Sequence, residues 1–194
     1  SFSSPAACGG LALVQELNKS LSNTFLTASA LKSLAIHTAN QTGDLGPDYR
    51  FGWGLLNIKK ACNYLLNKNQ SDKQIFDATL QNGETLVYEI NPKENTSVKV
   101  TIVWTDPSGN PVASSLDPVN SMLVNDLDVK ISDENNNIFF PYILDPNNPS
   151  LNAKTGDNFR DNVEQVFIKD AEERTYVTFK GKVKGSNIKS VTPN

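Results

Sequence analysis

The start of the sequence carries the side chains best suited to nucleophilic chemistry. Ser1 stands just ahead of a run of small and apolar residues, about 5–18, which predicts a helix. Ser3 or Ser4 is expected to cap this helix through a side-chain oxygen, and Pro5 suits the first helical position. The free N–H groups of a first helical turn favour a nearby oxyanion. Ser1 is therefore a candidate nucleophile for attack on a carbonyl carbon.

The predicted first helix is small or apolar on nearly every face. Its strongly polar residues, Gln15, Glu16 and Asn18, lie at its C-terminal end. A helix of this kind is normally buried on all sides. We expect it to be covered either by the rest of this chain or, preferably, by the remainder of a larger protein.

Two sequence blocks resemble the subtilisin-like serine proteases, or subtilases. The first holds Ser1, Ser4 and Pro5, which match the second half of the family's Gly-Thr-Ser-x-x-[Ser/Thr]-Pro nucleophile pattern. The second, residues 46–57 (GPDYRFGWGLLN), resembles the Gly-rich turn and last helix that close the catalytic domain. The resemblance implies that residues 1–66 are the C-terminal helices of a subtilase α/β domain. It also implies that Ser1 is the catalytic nucleophile toward a protein or peptide substrate.

A serine nucleophile needs a base that takes its proton and a third group that orients the base. In subtilases the catalytic Asp and His precede the serine, as does the Asn of the oxyanion hole. The resemblance therefore implies that this chain alone is inactive and that its partner is a missing N-terminal catalytic part. His37, the one histidine of the sequence, is predicted to end a second helix and to be structural. An N-terminal-nucleophile hydrolase that uses the α-amine of Ser1 is disfavoured, because Ser1 opens a helix.

The second half of the sequence offers oxygen ligands for a hard cation. Calcium takes about six to eight oxygens from carboxylates, amides and carbonyls. The candidate metal ligands at predicted strand ends are Asp106, Asn125, Asp126 and Asp128, and a further oxygen-rich set holds Asp157, Asp161 and Asn162. The alternative is that these side chains cap turns by accepting from nearby backbone N–H groups. Arg160 and Glu164 are also spaced to pair across an exposed turn.

Three strings in this half resemble the β-sandwich that follows the catalytic domain in a subset of bacterial subtilases. They are residues 103–106 (VWTD), 123–128 (LVNDLD) and 160–164 (RDNVE). They extend the resemblance to nearly the whole chain. Because similar sandwiches bind calcium, the resemblance raises the expectation of calcium as a cofactor.

The helical part contains two further predicted helices. Thr27 can cap the first, residues 28–37, and the second covers about residues 57–66. The polar stretch that follows predicts a linker. The predicted division is a catalytic-domain remnant, a linker and a β-domain, over residues 1–66, 67–72 and 73–194.

Beyond the linker the hydrophobic pattern alternates with a period of two, which predicts strands. About eight short strands are expected, over residues 73–80, 84–90, 97–104, 122–131, 138–142, 163–168, 175–179 and 188–191. Asn82-Gly83 predicts a hairpin between the first two. The predicted fold class is α + β, with the helical remnant followed by an antiparallel β-sandwich or jelly roll.

The composition argues against several other classes of protein. The net charge is −3 with 20% charged residues, and no basic stripe indicates a nucleic-acid partner. No apolar run approaches the ~18 residues of a membrane span. Cys8 and Cys62 are expected to be free, buried thiols. The abundance of asparagine fits a secreted or cell-surface protein, either extracellular or periplasmic.

We therefore interpret the sequence as the C-terminal part of a secreted bacterial subtilisin-like serine endopeptidase with a stabilising β-sandwich. The alternative interpretation is a non-enzymatic binding or interaction module of a surface or secreted protein. The two differ in a testable way, because only the first requires Ser1 to become reactive when the missing catalytic part is supplied.

Overall fold

The computed structural model describes residues 1–68, 74–92, 96–171, 175–182 and 191–193. Within these residues three helices precede nine strands, so the chain is mixed α + β as predicted. The helices are α1 (Ser3–Ser22), α2 (Ala28–Thr38) and α3 (Ile58–Leu66). The strands are β1 (Thr85–Ile90), β2 (Thr96–Val103), β3 (Asp126–Asp133), β4 (Ile138–Phe139), β5 (Tyr142–Ile143), β6 (Lys154–Thr155), β7 (Val163–Ala171), β8 (Thr175–Lys182) and β9 (Val191–Pro193).

Helices α2 and α3 begin at polar caps, as the sequence indicates. The hydroxyl of Thr27 accepts from the N–H of Ala30 at 3.2 Å, and the amide oxygen of Asn57 accepts from the N–H of Lys60 at 2.9 Å. Each cap satisfies an N–H that has no partner inside the helix. The predicted boundaries of α2 and α3 therefore agree with the structure to within one residue.

Helix α1 begins differently from the prediction. Its N-cap position is Phe2, which makes no side-chain capping bond, and Ser3 and Ser4 both lie inside the helix. The predicted serine cap is therefore wrong. The helix also runs four residues past Asn18 and ends at Asn23, whose backbone is left-handed with φ 57°. The N–H of Asn23 donates to the carbonyl of Lys19 at 2.9 Å, which closes the last turn.

The strands form two larger antiparallel sheets and one short two-stranded sheet. Strand order is β1-β8-β3-β4 in the first sheet, β7-β2-β9 in the second, and β5-β6 in the third. Buried side chains from β2, β3 and β7 form one hydrophobic cluster with Trp104, and partly buried side chains of β1 pack against it. The two larger sheets therefore share one core. A closed sandwich or jelly roll of eight strands remains a prediction.

Two predicted features of the first sheet are wrong. Residues 74–84 form no strand, and Asn82-Gly83 does not join two paired strands, although the N–H of Glu84 closes a turn onto the carbonyl of Gln81 at 3.0 Å. Strand β1 instead pairs with β8, about 90 residues later in the sequence, from Thr85 opposite Lys180 onward. The local turn signal was correct, but the strand partner is distant.

One other predicted strand is divided, and parts of two predicted strands are not described. The segment predicted over residues 138–142 is divided into β4 and β5 on either side of Phe140-Pro141, because proline has no N–H for a ladder. Residues 188–190 and Lys73, which belong to two predicted strands, lie outside the described residues.

The helices form a second hydrophobic cluster of their own. It contains Val14, Leu34, Ala61, Tyr64 and Leu65. Along the chain, Ile75 packs against this helical cluster, whereas the next residue, Phe76, packs against the cluster between the sheets. The chain therefore passes from the helical cluster to the cluster between the sheets within a few residues of the predicted linker. Residues 69–72 of that linker lie outside the described part. The domain boundaries themselves remain a prediction.

A buried polar contact joins α2 to the second sheet. The hydroxyl of Thr101, on β2, lies 3.0 Å from Nδ1 of His37 and accepts from Nε2 of Gln165 at 2.8 Å. The hydroxyl of Ser33 donates to the carbonyl of Thr101 at 3.4 Å. All four residues are buried. Thr101 is therefore the common partner through which α2 and β7 are held on β2.

Replacing Thr101 by valine should lower the free energy of unfolding by about 1–3 kcal/mol. Valine preserves the shape but leaves the buried amide of Gln165 without this acceptor, and an unsatisfied buried polar group has a cost of that size. Thr101→Ser, which keeps the hydroxyl, is the matched control and should lose less. Urea unfolding of both variants measures the difference. Equal stability of Thr101→Val and the parent chain would contradict the role given to this hydroxyl.

Candidate functional site

Ser1 lies immediately before the N-terminus of α1. The first bond of the helix runs from the N–H of Ala6 to the carbonyl of Phe2 at 3.2 Å. The earlier N–H groups of the first turn have no partner within a helix and carry its positive dipole end. Ser1 is exposed, and Phe2 is 94% exposed. Ser1 thus precedes the positive end of the helix dipole, and its role as the nucleophile remains a prediction.

Helix α1 is mostly uncovered by the described residues. Val14 and Asn18 are its buried side chains, whereas Leu13 and Leu21 are exposed. Gly9 faces open space, and at Gly10 a side chain would meet Ile58 of α3. The helix thus packs by one side only. The described residues of this chain therefore do not bury α1 on all sides.

The Gly-rich loop before α3 is closed by a pair of backbone bonds. The N–H of Asn40 donates to the carbonyl of Leu55 at 2.8 Å, and the N–H of Leu55 donates back to the carbonyl of Asn40 at 2.9 Å. Gly54 has φ +104°, and a side chain there would collide with the Asn40 carbonyl. Glycine is therefore required at this position by both backbone conformation and close approach.

His37 is held in the interior, at the end of α2. Its ring packs edge-on against Tyr64 with centroids 5.3 Å apart, and its Nδ1 is engaged by Thr101. Such a ring serves the packing of α2 rather than proton transfer to the exposed Ser1. The predicted position of His37 at the helix end is confirmed.

Acidic side chains from three parts of the β region form what we call the carboxyl cluster, consisting of Asp126, Asp128, Asp157 and Glu164. Asp128 is hydrogen-bonded to Asp157. Glu164 is fully buried, and its Oε2 accepts from the N–H of Val129 at 2.7 Å. Its Oε1 is buried and has no hydrogen-bond partner among the described residues. The structure thus joins two acidic stretches that are about 30 residues apart in the sequence.

The cluster shifts the pKa of two of its members. Burial raises the pKa of Glu164 to about 9, the N–H of Val129 opposes this, and the charges of Asp128, Asp157 and Asp126 add to it. Burial, together with the hydrogen bond and charge of Asp157, raises the pKa of Asp128 to about 6, and Lys130 acts in the opposite direction. Removing a proton from either group in the absence of a cation is therefore unfavourable.

Asp106 is used as a cap. Its two carboxylate oxygens accept from the N–H groups of Val124 at 2.6 Å and Asn125 at 3.0 Å. The carbonyl of Asn125 in turn accepts from the indole N–H of Trp104 at 3.1 Å. This is the capping alternative that the sequence left open. It fixes the segment that leads into β3, whose first and third residues are Asp126 and Asp128.

The remaining oxygen-rich residues make other contacts. Asn158 donates to Asp161 at 3.3 Å, and Asn162 donates to the carbonyl of Trp104 at 2.7 Å. Across the described ranges, no group of three or more His, Cys, Asp or Glu side chains is arranged to hold a metal ion. The predicted ligand set of Asp106, Asn125, Asp126 and Asp128 remains a prediction.

The expected pairing of Arg160 with Glu164 is wrong. Arg160 donates instead to the carbonyl of Val119 at 2.6 Å, and Glu164 points into the interior. The sequence did contain the signal for this. Glu164 has the same parity along β7 as Val166 and Ile168, and alternate side chains of a strand share one face. Since those two are core residues, Glu164 should face the core as well.

The two cysteines agree with the prediction only in part. Both cysteines are free, as predicted, but Cys8 is exposed and only Cys62 is partly buried. The expected burial of Cys8 fails because α1 is uncovered.

None of the helices in the described part of the chain combines the length and apolarity needed to cross a membrane.

Comparison with known proteins relates the helical part to one protease family. Residues 1–54 match the model of the subtilase family. The chain is 40% identical over 63 residues to serotype-specific antigen 1 of Mannheimia haemolytica, which covers 32% of this chain and 6% of that protein. It is 28% identical over 181 residues to the serine protease/ABC transporter B family protein tagA of Dictyostelium discoideum, covering 87% of this chain.

The chain spans 6% and 9% of the lengths of these two relatives. The match to the family model begins at Ser1 and includes α1, α2 and the Gly-rich loop. These elements are those from which the sequence analysis inferred the resemblance. The segment from Ser1 to Gly54 is therefore similar in sequence to the subtilases, a family of serine peptidases.

Proposed function

We propose that this chain is the part of a secreted subtilisin-like serine endopeptidase that carries the nucleophile. The observation that supports this most is the subtilase match over residues 1–54, with Ser1 at the mouth of α1. The substrate would be a protein or peptide. One relative, which aligns with 87% of this chain, is named as a serine protease/ABC transporter protein.

The chemistry follows from what Ser1 can and cannot do alone. In acyl transfer, the Ser1 oxygen attacks the peptide carbonyl carbon while a histidine takes the hydroxyl proton. The carbonyl oxygen becomes an oxyanion, which the N–H groups at the start of α1 would stabilise. The amine then leaves with the proton, and water releases the acyl group from Ser1. Because His37 is buried against Thr101, we propose that the histidine and its aspartate come from another part of a longer polypeptide.

Labelling with a fluorophosphonate tests this proposal. We expect Ser1 to remain unlabelled in the 194-residue chain alone and to be labelled when the segment that precedes it in the full-length protein is supplied. Ser1→Ala should abolish labelling, whereas Ser4→Ala, a hydroxyl removed one turn away, should preserve it. Mass spectrometry locates the label.

Two results would contradict the proposal. Failure to label Ser1 in the full-length protein would remove the enzymatic interpretation and favour the alternative of a non-enzymatic binding module. Labelling of the 194-residue chain alone would show that the base lies within it, against the incompleteness that we propose.

The uncovered side of α1 has a place in this proposal. Leu13, Leu21 and the open space at Gly9 give an apolar surface that would contact the remainder of the catalytic domain. Exposed apolar residues on one helix face are costly to leave in water, at about 25 cal/mol per Å². Slower amide exchange in α1 when the missing part is present is therefore expected.

We also propose that the β region stabilises the enzyme with the help of calcium. The observation that supports this is the buried Oε1 of Glu164, which has no hydrogen-bond partner among the described residues and lies in the field of the Asp128 and Asp157 charges. Bound calcium would supply positive charge among these acids. Secretion is part of the same proposal, supported by the asparagine-rich composition.

A further inference from the structure

We propose that Asn82-Gly83 is a site of spontaneous modification, at which the side chain of Asn82 loses ammonia and becomes an aspartate or an isoaspartate, and that this change loosens the turn before β1. The site lies outside the catalytic part and outside the carboxyl cluster. The inference therefore depends neither on the chemistry of Ser1 nor on calcium.

The sequence contains one asparagine that is followed by glycine, and the fold exposes this pair. Asn82 and Gly83 both lie on the surface, in the turn that precedes β1. Gly83 has φ +79°, and a side chain built on it would meet no atom within 4 Å beyond the adjoining residues. Glycine also gives the backbone more conformational freedom than any other residue. The backbone nitrogen of Gly83 is therefore well placed to reach the side chain of Asn82.

The reaction requires only the chain and water. The backbone nitrogen of Gly83 attacks the side-chain carbonyl carbon of Asn82, a new C–N bond forms, and the nitrogen loses its proton. The side-chain amide group leaves with a proton as ammonia, so that a five-membered cyclic imide remains. Water then opens the imide at one of its two carbonyl carbons and returns a proton to the nitrogen. One opening gives aspartate, and the other gives isoaspartate, in which the main chain runs through the former side chain.

Two hydrogen bonds hold the turn around this pair. The N–H of Glu84 donates to the carbonyl of Gln81 at 3.0 Å, and the N–H of Gln81 donates to Oε2 of Glu84 at 2.7 Å. Both bonds span the two residues that would take part in the reaction. Just before the turn, Leu80 is buried in the cluster between the sheets. The turn thus connects a core residue to the start of β1.

Either product would weaken these bonds. Isoaspartate adds one methylene group to the main chain between Gln81 and Glu84, so both bonds would have to close a longer loop. Aspartate keeps the length of the main chain but places a second carboxylate two residues from that of Glu84, and like charges at short distance repel.

The effect should reach the first sheet through β1. This strand stands at one end of the sheet and pairs with β8 from Thr85 opposite Lys180 onward. Thr85 directly follows the turn, so a loosened turn frees this end of β1 first. An end strand that separates from its neighbour leaves unpaired backbone groups, which favour association with other chains.

Mass spectrometry of the 194-residue chain, aged at mildly alkaline pH, tests the site. We expect residue 82 to be modified roughly fivefold or more faster than Asn120, which is followed by serine. Asn110 is followed by proline, which has no N–H and cannot form the imide, so it is an internal control. All three asparagines are exposed. Isoaspartyl methyltransferase, which methylates isoaspartate, should label the peptide that contains residue 82.

Variants separate the site from its effect on the fold. The aged parent chain should unfold roughly 2–5 °C below the fresh chain, as expected for the loss of one or two turn hydrogen bonds. Its β1 amides should also exchange faster. Asn82→Gln keeps an amide but would need a larger ring, so it should stay unlabelled and keep its unfolding temperature during ageing. Asn82→Asp supplies the carboxylate without the extra methylene and should show only part of the shift.

Each outcome decides one part of the inference. Labelling at residue 82, with a fall in unfolding temperature that Asn82→Gln prevents, supports both parts. Modification of residue 82 no faster than that of Asn120 overturns the site. A chain converted at residue 82 whose unfolding temperature and β1 exchange are unchanged overturns the effect on the turn, and so does an equal fall in Asn82→Gln.

Discussion

Trp104→Ala should lower the free energy of unfolding by about 3–5 kcal/mol, the largest loss expected from one substitution in the β region. Trp104 is 1% exposed and lies in the cluster shared by the two larger sheets. Truncation would leave a cavity in that core. It would also leave the buried carbonyl of Asn125 without the indole N–H that it now accepts at 3.1 Å.

Trp104→Phe separates the two causes. Phenylalanine fills much of the same space but has no N–H, so it should lose about 1–2 kcal/mol from the broken hydrogen bond and the smaller ring. Urea unfolding followed by circular dichroism measures both variants. If Trp104→Ala were as stable as Trp104→Phe, packing of this ring would not be what holds the sheets together.

Glu164→Gln should make the metal-free chain more stable at alkaline pH. The folded pKa of Glu164, about 9, lies above the ordinary value of 4.5. Folding therefore favours the protonated form. The stability is fully present below about pH 4.5 and is lost as the pH rises toward 9, by up to about 1.4 kcal/mol per pH unit. Glutamine cannot ionise, so this loss should disappear, giving a gain of up to about 5 kcal/mol at pH 8.

The measurement is the free energy of unfolding at several pH values with a chelator present. Asp128→Asn is the matched control, because the pKa of Asp128 is raised only to about 6. Its effect on the slope should be confined to pH below about 6, whereas that of Glu164→Gln should continue to about pH 9. A parent chain whose stability does not fall between pH 6 and 9 would contradict the buried, protonated state of Glu164.

The sequence predicted well those features that depend on neighbouring residues. The cap at Thr27 and the limits of α2 and α3 follow from local side-chain chemistry and hydrophobic period. The same reasoning failed at Ser3 and Ser4. Several residues in that stretch can accept from an N–H, and local preference alone does not decide which residue begins the helix.

Long-range contacts were largely beyond the sequence. The hairpin signal at Asn82-Gly83 identified a turn, but nothing nearby encodes the pairing of β1 with β8. The carboxyl cluster is a similar case. Asp128 and Asp157 each look like ordinary loop or strand-end acids, and only the fold brings them to Glu164. The sequence signal that indicated a buried Glu164 was its alternation along β7 with the core residues Val166 and Ile168.

The position of β8 also sets the order in which this molecule can assemble. In the first sheet both β1 and β3 pair with β8, which comes about 40 residues after β3 ends. During synthesis on the ribosome, β1 and β3 therefore remain without β8, with exposed apolar faces and unpaired strand edges. Sheets built from such distant partners form slowly, and unpaired strand edges promote aggregation with other chains. A newly made chain should thus pass through a stage that depends on chaperones, which ends when β8 inserts between its two neighbours.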